Sequence, residues 1–268
     1  MSNYVAVKAG SAWILATNGD AQEEFVTSFQ GIISKMNLPP FTEKISPNSV
    51  HVKHLRQSLT VTGLNTATFQ TVSENIGAVH HFFKRFIGKD ALQDITAIGQ
   101  FEEYMSIDMG NRYFTPRRDA PLATETPFSA DVDPHGYLMN AAGTTLIHME
   151  ENEVYYYERI LEENGTDYRF VTTKPIMFCN GDIVEVQVSF ALLPLREKKF
   201  KLSLILRSIS LLDATYSQAT PRKAVTLKRR VGYADEEIGE TRAKLGKMDI
   251  DTQASTSSGN VQDTENLD

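Results

Sequence analysis

The sequence predicts an α+β fold that is rich in β-strands, and three observations lead to this class. Short runs of β-branched, aliphatic and aromatic residues alternate with turn signals between Thr144 and Asp213, which predicts a small barrel or sandwich. Apolar residues at helical spacing in the first half predict two or three helices. After Asp213 the composition becomes polar and charged. We therefore expect one folded body over residues 1–213, barrel-like at about 144–213, and a disordered tail over residues 214–268.

The N-terminal segment predicts a strand or hairpin followed by a helix. Residues from Tyr4 to Thr17 are mostly small or apolar and lead to the turn signal Asn18-Gly19. Asp20 is a suitable N-cap for a helix. Apolar residues then recur at helical spacing until Pro39-Pro40 prevents continuation, at Phe25, Phe29, Ile32 or Ile33, and Met36.

The middle of the chain predicts a strand, two helices and a loop. His51 to Thr62 is rich in β-branched and aliphatic residues, which favours a strand. Ser73 to Ile87 has the apolar spacing of a helix, with Gly88 placed to end it. A shorter helix is expected from Ala91 to Ile98. Gly110 to Gly136 contains four prolines, too many for a regular element, and predicts a long surface loop.

The C-terminal half of the body carries the clearest strand pattern. Asn164-Gly165 is a hairpin signal between two of these strands. The apolar alternation of the last strand changes phase after Leu206, which predicts a bulge or bend. The five predicted strands are Thr144 to Met149, Val154 to Leu161, Tyr168 to Thr172, Ile183 to Phe190, and Phe200 to Leu212.

Two resemblances rest on this half. The Gly181-Asp182 turn, the strand after it, the basic hairpin at Lys198 to Lys201 and the closing run to Ile209 resemble the closing strands of oligonucleotide-binding (OB) barrels. The longer arrangement is similar to a lineage-expanded family of uncharacterised proteins from mushroom-forming fungi. That arrangement comprises Asp133-Pro134-His135-Gly136, Tyr155-Tyr156-Tyr157, and Gly181 to Asp213. The first resemblance implies a nucleic-acid-binding barrel, and the second implies no mechanism.

The charge and the cysteine content limit the kinds of function that the chain can have. The net charge is −7, and the body up to Asp213 holds 19 Lys and Arg against 25 Asp and Glu. A body of that sign cannot hold phosphates by its overall field, so any nucleic-acid site must be a local patch. The single cysteine, Cys179, excludes an intrachain disulfide. With no signal-like N-terminus and no apolar run of about 20 residues, we expect an intracellular chain without a membrane segment, nuclear or cytoplasmic.

A basic and aromatic patch is the first candidate site. Arginine and lysine would follow phosphates while exposed rings stack on bases, as single-strand binding requires. The alternative is that the rings anchor a loop and the lysines form an ordinary hairpin tip. The candidate residues are Arg112, Tyr113, Phe114, Arg117 and Arg118 in the predicted loop, with Lys198, Lys199, Lys201 and Arg207 on the last two strands.

Three consecutive tyrosines supply the second candidate. On a strand, Tyr155 and Tyr157 share one face and Tyr156 points to the other. If Tyr155 and Tyr157 are exposed, they form the best stacking surface in the chain; otherwise they belong to the core.

A basic arm in the predicted tail is the third candidate. It contains a run of cations without an acid, which suits a nuclear-localisation signal, an auxiliary nucleic-acid contact or a solvated linker. Its residues are Arg222, Lys223, Lys228, Arg229 and Arg230.

No motif predicts catalysis, a metal or a cofactor. His51 and His54 would diverge on a strand, as would the adjacent His80 and His81 on a helix. The chain has no nucleophile elbow and no phosphate-binding glycine loop. We therefore predict a non-enzymatic binding protein whose partner is single-stranded nucleic acid, with a protein-interaction or scaffold module as the alternative.

Overall fold

The computed structural model describes residues 3–45, 51–88, 90–162 and 165–219. The chain divides into two units, Met1–Pro221 and Arg222–Asp268, and all described residues belong to the first. The basic arm, with its residues Arg222 to Arg230, and the rest of the predicted tail beyond residue 219 lie outside the described residues.

Twelve strands and three α-helices occur in the described part of the chain. In chain order they are β1 (Tyr4–Ala9), β2 (Ala12–Thr17), β3 (Val26–Asn37), β4 (Arg56–Thr62), α1 (Ala67–Ile87), β5 (Ile98–Phe101), β6 (Tyr104–Arg112), β7 (Thr115–Pro116), α2 (Tyr137–Ala142), β8 (Leu146–Ile147), β9 (Tyr155–Leu161), β10 (Tyr168–Thr172), β11 (Ile183–Pro194), β12 (Phe200–Asp213) and α3 (Thr215–Ala219).

One large mixed sheet organises the fold. Its strand order is β10-β9-β12-β11-β3-β4-β6-β5, and the β1–β2 hairpin joins it through pairing of β2 with β11. The β9–β12 pair is parallel and the other pairs are antiparallel. Since β10 and β5 are the two ends of the order, the sheet is not a closed barrel. The short strands β7 and β8 pair separately.

Two apolar clusters hold the body together. The larger lies between the inward faces of the sheet and helix α1, and the side chains of Phe83, Leu206 and Ile209 are among its fully buried members. The smaller packs around Phe114 and Leu138, beside α2. The inward sides of β11 and β12 contribute more buried residues to the large cluster than any other pair of neighbouring strands, so the pairing of these two strands is the centre of the core.

The predicted bulge on the last strand is confirmed. Gln187 of β11 pairs with Ser208, but the next residue, Val188, pairs with Leu206, so Arg207 is the extra residue. Because two residues now separate Leu206 from Ile209, both of these side chains point into the core.

The predicted helix from Asp20 to Met36 is wrong, since this segment contains strand β3. Its buried residues alternate as Phe29, Gly31 and Ile33, which is the period of a strand. Spacings of four residues fit both a helix and a strand, and this ambiguity misled the prediction. The β-branched residues beside Gly31 favour a strand, and Gly31 itself disfavours a helix interior.

The predicted helix from Ala91 to Ile98 is also wrong. Phe200 donates its backbone N–H to the Ala91 carbonyl and accepts the N–H of Gln93, so this segment pairs with the start of β12. Strands β5 and β6 follow where no strand was predicted, and β6 occupies the first residues of the predicted loop.

Other predictions are confirmed in outline. Helix α1 ends at Gly88, as the sequence indicates, although it begins earlier, at Ala67. The N-terminal hairpin and the β9–β10 hairpin are present. The predicted strand from His51 starts only at Arg56, after a short 3-10 turn. The first residues of the predicted tail form α3, where the Asp213 carboxylate accepts hydrogen bonds from Thr215.

No helix in residues 3–45, 51–88, 90–162 and 165–219 has both the length and the apolar character that crossing a membrane requires.

Replacing either of two glycines by alanine should change the stability of the body, in opposite directions. A Cβ on Gly63 would lie 2.2 Å from Cβ and Cγ of the buried Phe69, so Gly63→Ala should destabilise the body by about 2 kcal/mol or more. Nothing lies within 4 Å of a Cβ on Gly77, inside α1, so Gly77→Ala should stabilise it by about 0.5–1 kcal/mol. Urea unfolding measures the free energy of unfolding of both variants. Equal changes in the two variants would contradict the packing around Gly63 and Gly77.

Candidate nucleic-acid interface

The β9–β10 hairpin presents a face of exposed rings. Antiparallel register places Leu161 opposite Tyr168, Arg159 opposite Phe170, and Tyr157 opposite Thr172, so these six side chains share one side of the hairpin. Tyr155 lies on the same side because it is two residues from Tyr157. We define the ring face as Tyr155, Tyr157, Arg159, Leu161, Tyr168 and Phe170.

The ring face points to solvent while the opposite side of β9 enters the core. Tyr155, Tyr168 and Phe170 are 48%, 58% and 51% exposed, and Tyr157 is half-buried. Tyr156 is buried and packs on Phe178. The predicted alternation of the three tyrosines is therefore confirmed, and Tyr155 and Tyr157 are on the accessible side.

An arginine is built into the ring face. The guanidinium of Arg159 lies 4.7 Å from the centroid of the Tyr168 ring, and its Nη2 donates to the carbonyl of Leu212 at 3.3 Å. A cation over a tyrosine ring is favourable, and the hydrogen bond to β12 orients it. The face thus combines π-surfaces with a fixed positive charge.

The outward side of β12 continues the ring face. Ser208 and Ser210, which are both buried, are in parallel register with Tyr155 and Tyr157, so both pairs point to the same side of the sheet. The bulge leaves Arg207 on that side too, because Leu206 and Ile209 are both inward. Ile205, Ser203 and Lys201 then alternate outward along the strand. The outward side of β12 from Lys201 to Arg207 forms a strip about 20 Å long, with one of these two cations at each end.

Arg207 is held firmly at the inner end of this strip. Its Nη1 donates to the carbonyl of Glu151 at 2.7 Å, its Nε donates to Oγ of Ser189 at 3.2 Å, and its Nη2 forms an ion pair with Glu24. Only 16% of its side chain is exposed. Arg207 therefore positions the Glu151 segment and contributes only part of its charge to a ligand.

A cleft of about 490 Å³ opens beside Arg207. Its floor includes Ile14, Leu193 and Ile205, and the hairpin tip at Gly10 forms one wall against Asp119. We call it the arginine cleft because three arginines line it, Arg56, Arg112 and Arg207.

Two of these arginines oppose each other directly. Arg56 of β4 pairs in register with Arg112 of β6. Like charges at such positions repel, so the pair favours a nearby anion. Arg56 has an exposed ion pair with Asp108 at 3.5 Å, whereas Arg112 has no ion pair within the described residues. Partial burial in the cleft lowers the pKa of Arg112. The carboxylates of Asp119 and Glu151 oppose this shift, and the guanidinium stays charged.

Several predicted site residues lie elsewhere. The prediction of Tyr113 and Phe114 as exposed stacking rings is wrong, because they are 3% and 1% exposed and anchor the smaller core cluster. Burial of these two aromatic rings is energetically favourable, so they pack inward although the sequence predicted a surface loop.

The remaining predicted cations do not converge with the ring face. Arg117 is paired with Glu125 at 2.7 Å, and Arg118 lies 3.6 Å from Asp119. Lys198 and Lys199 are exposed at the tip between β11 and β12, where Lys198 has a left-handed backbone. Of the predicted set, the structure brings Arg112 and Arg207 to one cleft, and places Tyr155, Tyr157 and Lys201 on the adjoining sheet surface.

Sequence reasoning missed Arg56, Arg159, Tyr168 and Phe170. The signal for the last three was present, because the predicted hairpin register places Tyr168 and Phe170 on the same side as Tyr155 and Tyr157. No comparable signal exists for Arg56, since its partner strand β6 was not predicted.

A buried aromatic cluster adjoins the ring face. The rings of Phe128 and His148 stack with centroids 3.9 Å apart, and Phe128 also contacts Tyr113. Nδ1 of His148 lies 2.8 Å from the carbonyl oxygen of Tyr113, which can only accept, so Nδ1 donates. Burial lowers the pKa of His148 and keeps its ring neutral.

Residues 3–45, 51–88, 90–162 and 165–219 contain no cluster of three His, Cys, Asp or Glu side chains that could hold a metal ion.

Comparisons with known proteins found a similar solved structure. No protein-family model and no curated protein matches the chain. The structure is gp2.5, a single-stranded DNA binding protein encoded by bacteriophage T7, with a TM-score of 0.40 and 9% identity over 70% of this chain and 86% of that chain. At that level of likeness the function must be argued from this chain's own residues. The resemblance to proteins of mushroom-forming fungi stays a prediction.

Acid should destabilise the body partly through His148. In the unfolded chain its pKa is the ordinary 6.5, whereas burial lowers it in the folded state, so only the unfolded chain binds a proton just below that pH. This contribution to stability is present above pH 6.5 and is lost as the pH falls toward the folded-state pKa. Urea unfolding at about pH 7.5 and about pH 5 should show a smaller pH dependence for His148→Gln than for the intact protein. An unchanged pH dependence would contradict the neutral, buried ring.

Proposed function

We propose that the chain is a binding protein for single-stranded nucleic acid. Bases stack on the ring face, and phosphates follow Lys201, Arg207 and Arg112. The observation that carries this proposal is that the exposed rings of the ring face lie on the same side of one sheet as the cations of β12. The finer prediction of an OB-like surface belongs to the same proposal, with β9 to β12 as the binding strands.

The choice of a single strand follows from the chemistry of the ring face. Every base has a π-surface, but a duplex hides these surfaces inside its stack. Exposed Tyr155, Tyr168 and Phe170 are therefore useful to a strand whose bases are free. Arg159, fixed by Tyr168 and Leu212, adds a cation that can stack or meet a phosphate.

The charge distribution supports a local patch rather than a general field. The body is acidic overall, and acids also line the arginine cleft, as Asp119 and Glu151 do. Arg112 faces these acids without a close ion pair in the described chain. A phosphate at Arg112 would relieve the repulsion between Arg112 and Arg56.

A protein-interaction module is the second candidate, favoured by the free edge of the sheet. Among the described strands, β10 pairs with β9 alone, so its other edge is open there for an added strand. Leu161, Tyr168 and Phe170 beside that edge form an apolar patch. If no single-stranded oligonucleotide binds at low salt, this candidate becomes the working function.

Removing two rings should weaken single-strand binding. A stacked base contributes about 1–3 kcal/mol per ring, so Tyr168→Ala with Phe170→Ala should lower the affinity for a labelled single-stranded DNA at least tenfold in fluorescence anisotropy. Phe101→Ala is the control, because Phe101 is an exposed ring on β5 at the opposite edge of the sheet. Equal affinities for the double variant and the control would exclude the ring face.

The salt dependence should identify the phosphate contact at Arg112. Each phosphate contact on a single strand contributes about 0.7 to the slope of log affinity against log salt. Arg112→Gln should therefore reduce the steepness by about 0.7. Arg85→Gln is the control, because Arg85 is exposed on α1, away from the cleft. A slope unchanged by Arg112→Gln would remove the cleft from the proposal.

A further inference from the structure

A second cavity lies directly beside the ring face. It has a volume of about 280 Å³, and Tyr155 belongs both to its lining and to the ring face. The exposed residues Ser129 and Asp131 mark its mouth together with Tyr155. Besides Tyr155, four of its lining residues carry aromatic rings, namely Tyr113, Phe128, His148 and Tyr156.

His148 brings an unused acceptor to this cavity. The residue is 5% exposed, and its Nδ1–H is occupied by the carbonyl of Tyr113. A neutral imidazole that donates from Nδ1 carries its lone pair on Nε2. This Nε2 has no hydrogen-bond partner within the described residues and is therefore free to accept one from a ligand.

Tyr113 brings an unused hydroxyl. Its side chain is 3% exposed and lines the cavity, yet its hydroxyl has no hydrogen-bond partner in the described part of the chain. Burial and the Asp133 carboxylate raise the pKa of Tyr113, so the hydroxyl keeps its proton and can donate. Tyr156 differs, because its hydroxyl donates to Gln57 at 2.5 Å.

The charge of the lining discriminates between ligand classes. Asp131 and Glu153 line the cavity, and none of its described lining residues is a lysine or arginine. Asp131 forms an ion pair with Lys174 at 3.2 Å, which leaves Glu153 as the acid that disfavours a phosphate. A neutral planar heterocycle meets no such repulsion. Aromatic walls with a few convergent polar groups are typical of sites for flat ligands.

We propose that this cavity binds one nucleobase, which stacks within the aromatic walls and pairs its polar edge with the hydroxyl of Tyr113 and Nε2 of His148. We call it the base pocket. The inference rests on the proposed function, since the base comes from a strand that crosses the ring face. Tyr155, at the junction, is placed to guide a base from one surface to the other.

Free nucleosides and oligonucleotides together test the base pocket. Saturation-transfer NMR on the full chain with adenosine, cytidine and thymidine, each without phosphate, reports the pocket alone. Anisotropy with a single-stranded oligonucleotide reports the whole interface. Ser129→Trp blocks the mouth, and Ala130→Trp is its control because Ala130 is exposed and lies outside the lining. Tyr113→Phe removes only the unpaired hydroxyl.

The expected results are specific. At least one nucleoside binds the intact protein and Ala130→Trp, with a dissociation constant on the order of 1 mM, and does not bind Ser129→Trp. Tyr113→Phe folds with unchanged stability, because its hydroxyl has no partner, and weakens that nucleoside about three- to tenfold. Ser129→Trp lowers oligonucleotide affinity about tenfold.

Failure of the base pocket and failure of the proposed function are distinguishable. Absence of nucleoside binding to the intact protein, or equal binding by Ser129→Trp, overturns the base pocket even when oligonucleotides bind. Nucleoside binding that Ser129→Trp abolishes, without oligonucleotide binding, supports the pocket and overturns the strand-binding function. A Tyr113→Phe chain that folds normally and binds nucleosides with unchanged affinity overturns the role of the hydroxyl.

Discussion

The bulge at Arg207 is the constraint on which the surface of this molecule depends. Strand β12 must supply Leu206 and Ile209 to one core, although their positions differ by three and a regular strand would point them to opposite sides. Inserting Arg207 solves this conflict, because burial of both side chains outweighs the loss of regular pairing. The outward side consequently gains two adjacent residues, Arg207 and Ser208, and joins the cleft to the hairpin. Core packing and the candidate interface thus have one common cause.

Much of the C-terminal fold could be predicted from sequence because its signals are local. Strands β9 to β12 alternate cleanly, and the change of phase after Leu206 is visible without coordinates. Strand β3 could not be assigned, because the four-residue spacing of Phe25, Phe29 and Ile33 satisfies both periods. The Ala91 segment failed for a different reason: its backbone pairs with Phe200, more than a hundred residues away, and no local pattern reports such a partner.

The residues of the candidate site also differ in whether a local sequence signal identifies them. Tyr155 and Tyr157 were found because strand alternation alone fixes their side. Tyr113 lies in the predicted proline-rich loop, where it could either stack on a base or anchor the loop, and Phe41 and Phe128 enclose it. Arg56 and Arg112 meet only through the register of β4 with β6, and the base pocket draws residues from six separate parts of the chain. Such sites are properties of the fold and not of any motif.

The parallel pairing of β9 with β12 extends only from Tyr155 to Glu158. Beyond that point the outer half of the hairpin, with Tyr168 and Phe170, has β-ladder bonds only between its own two strands. Local opening there leaves the main core intact, so this half belongs to the least stable part of the sheet. Its side chains can therefore be exchanged during evolution with little penalty to folding. Selection for what the surface binds and selection for a stable body act on different residues of one continuous sheet.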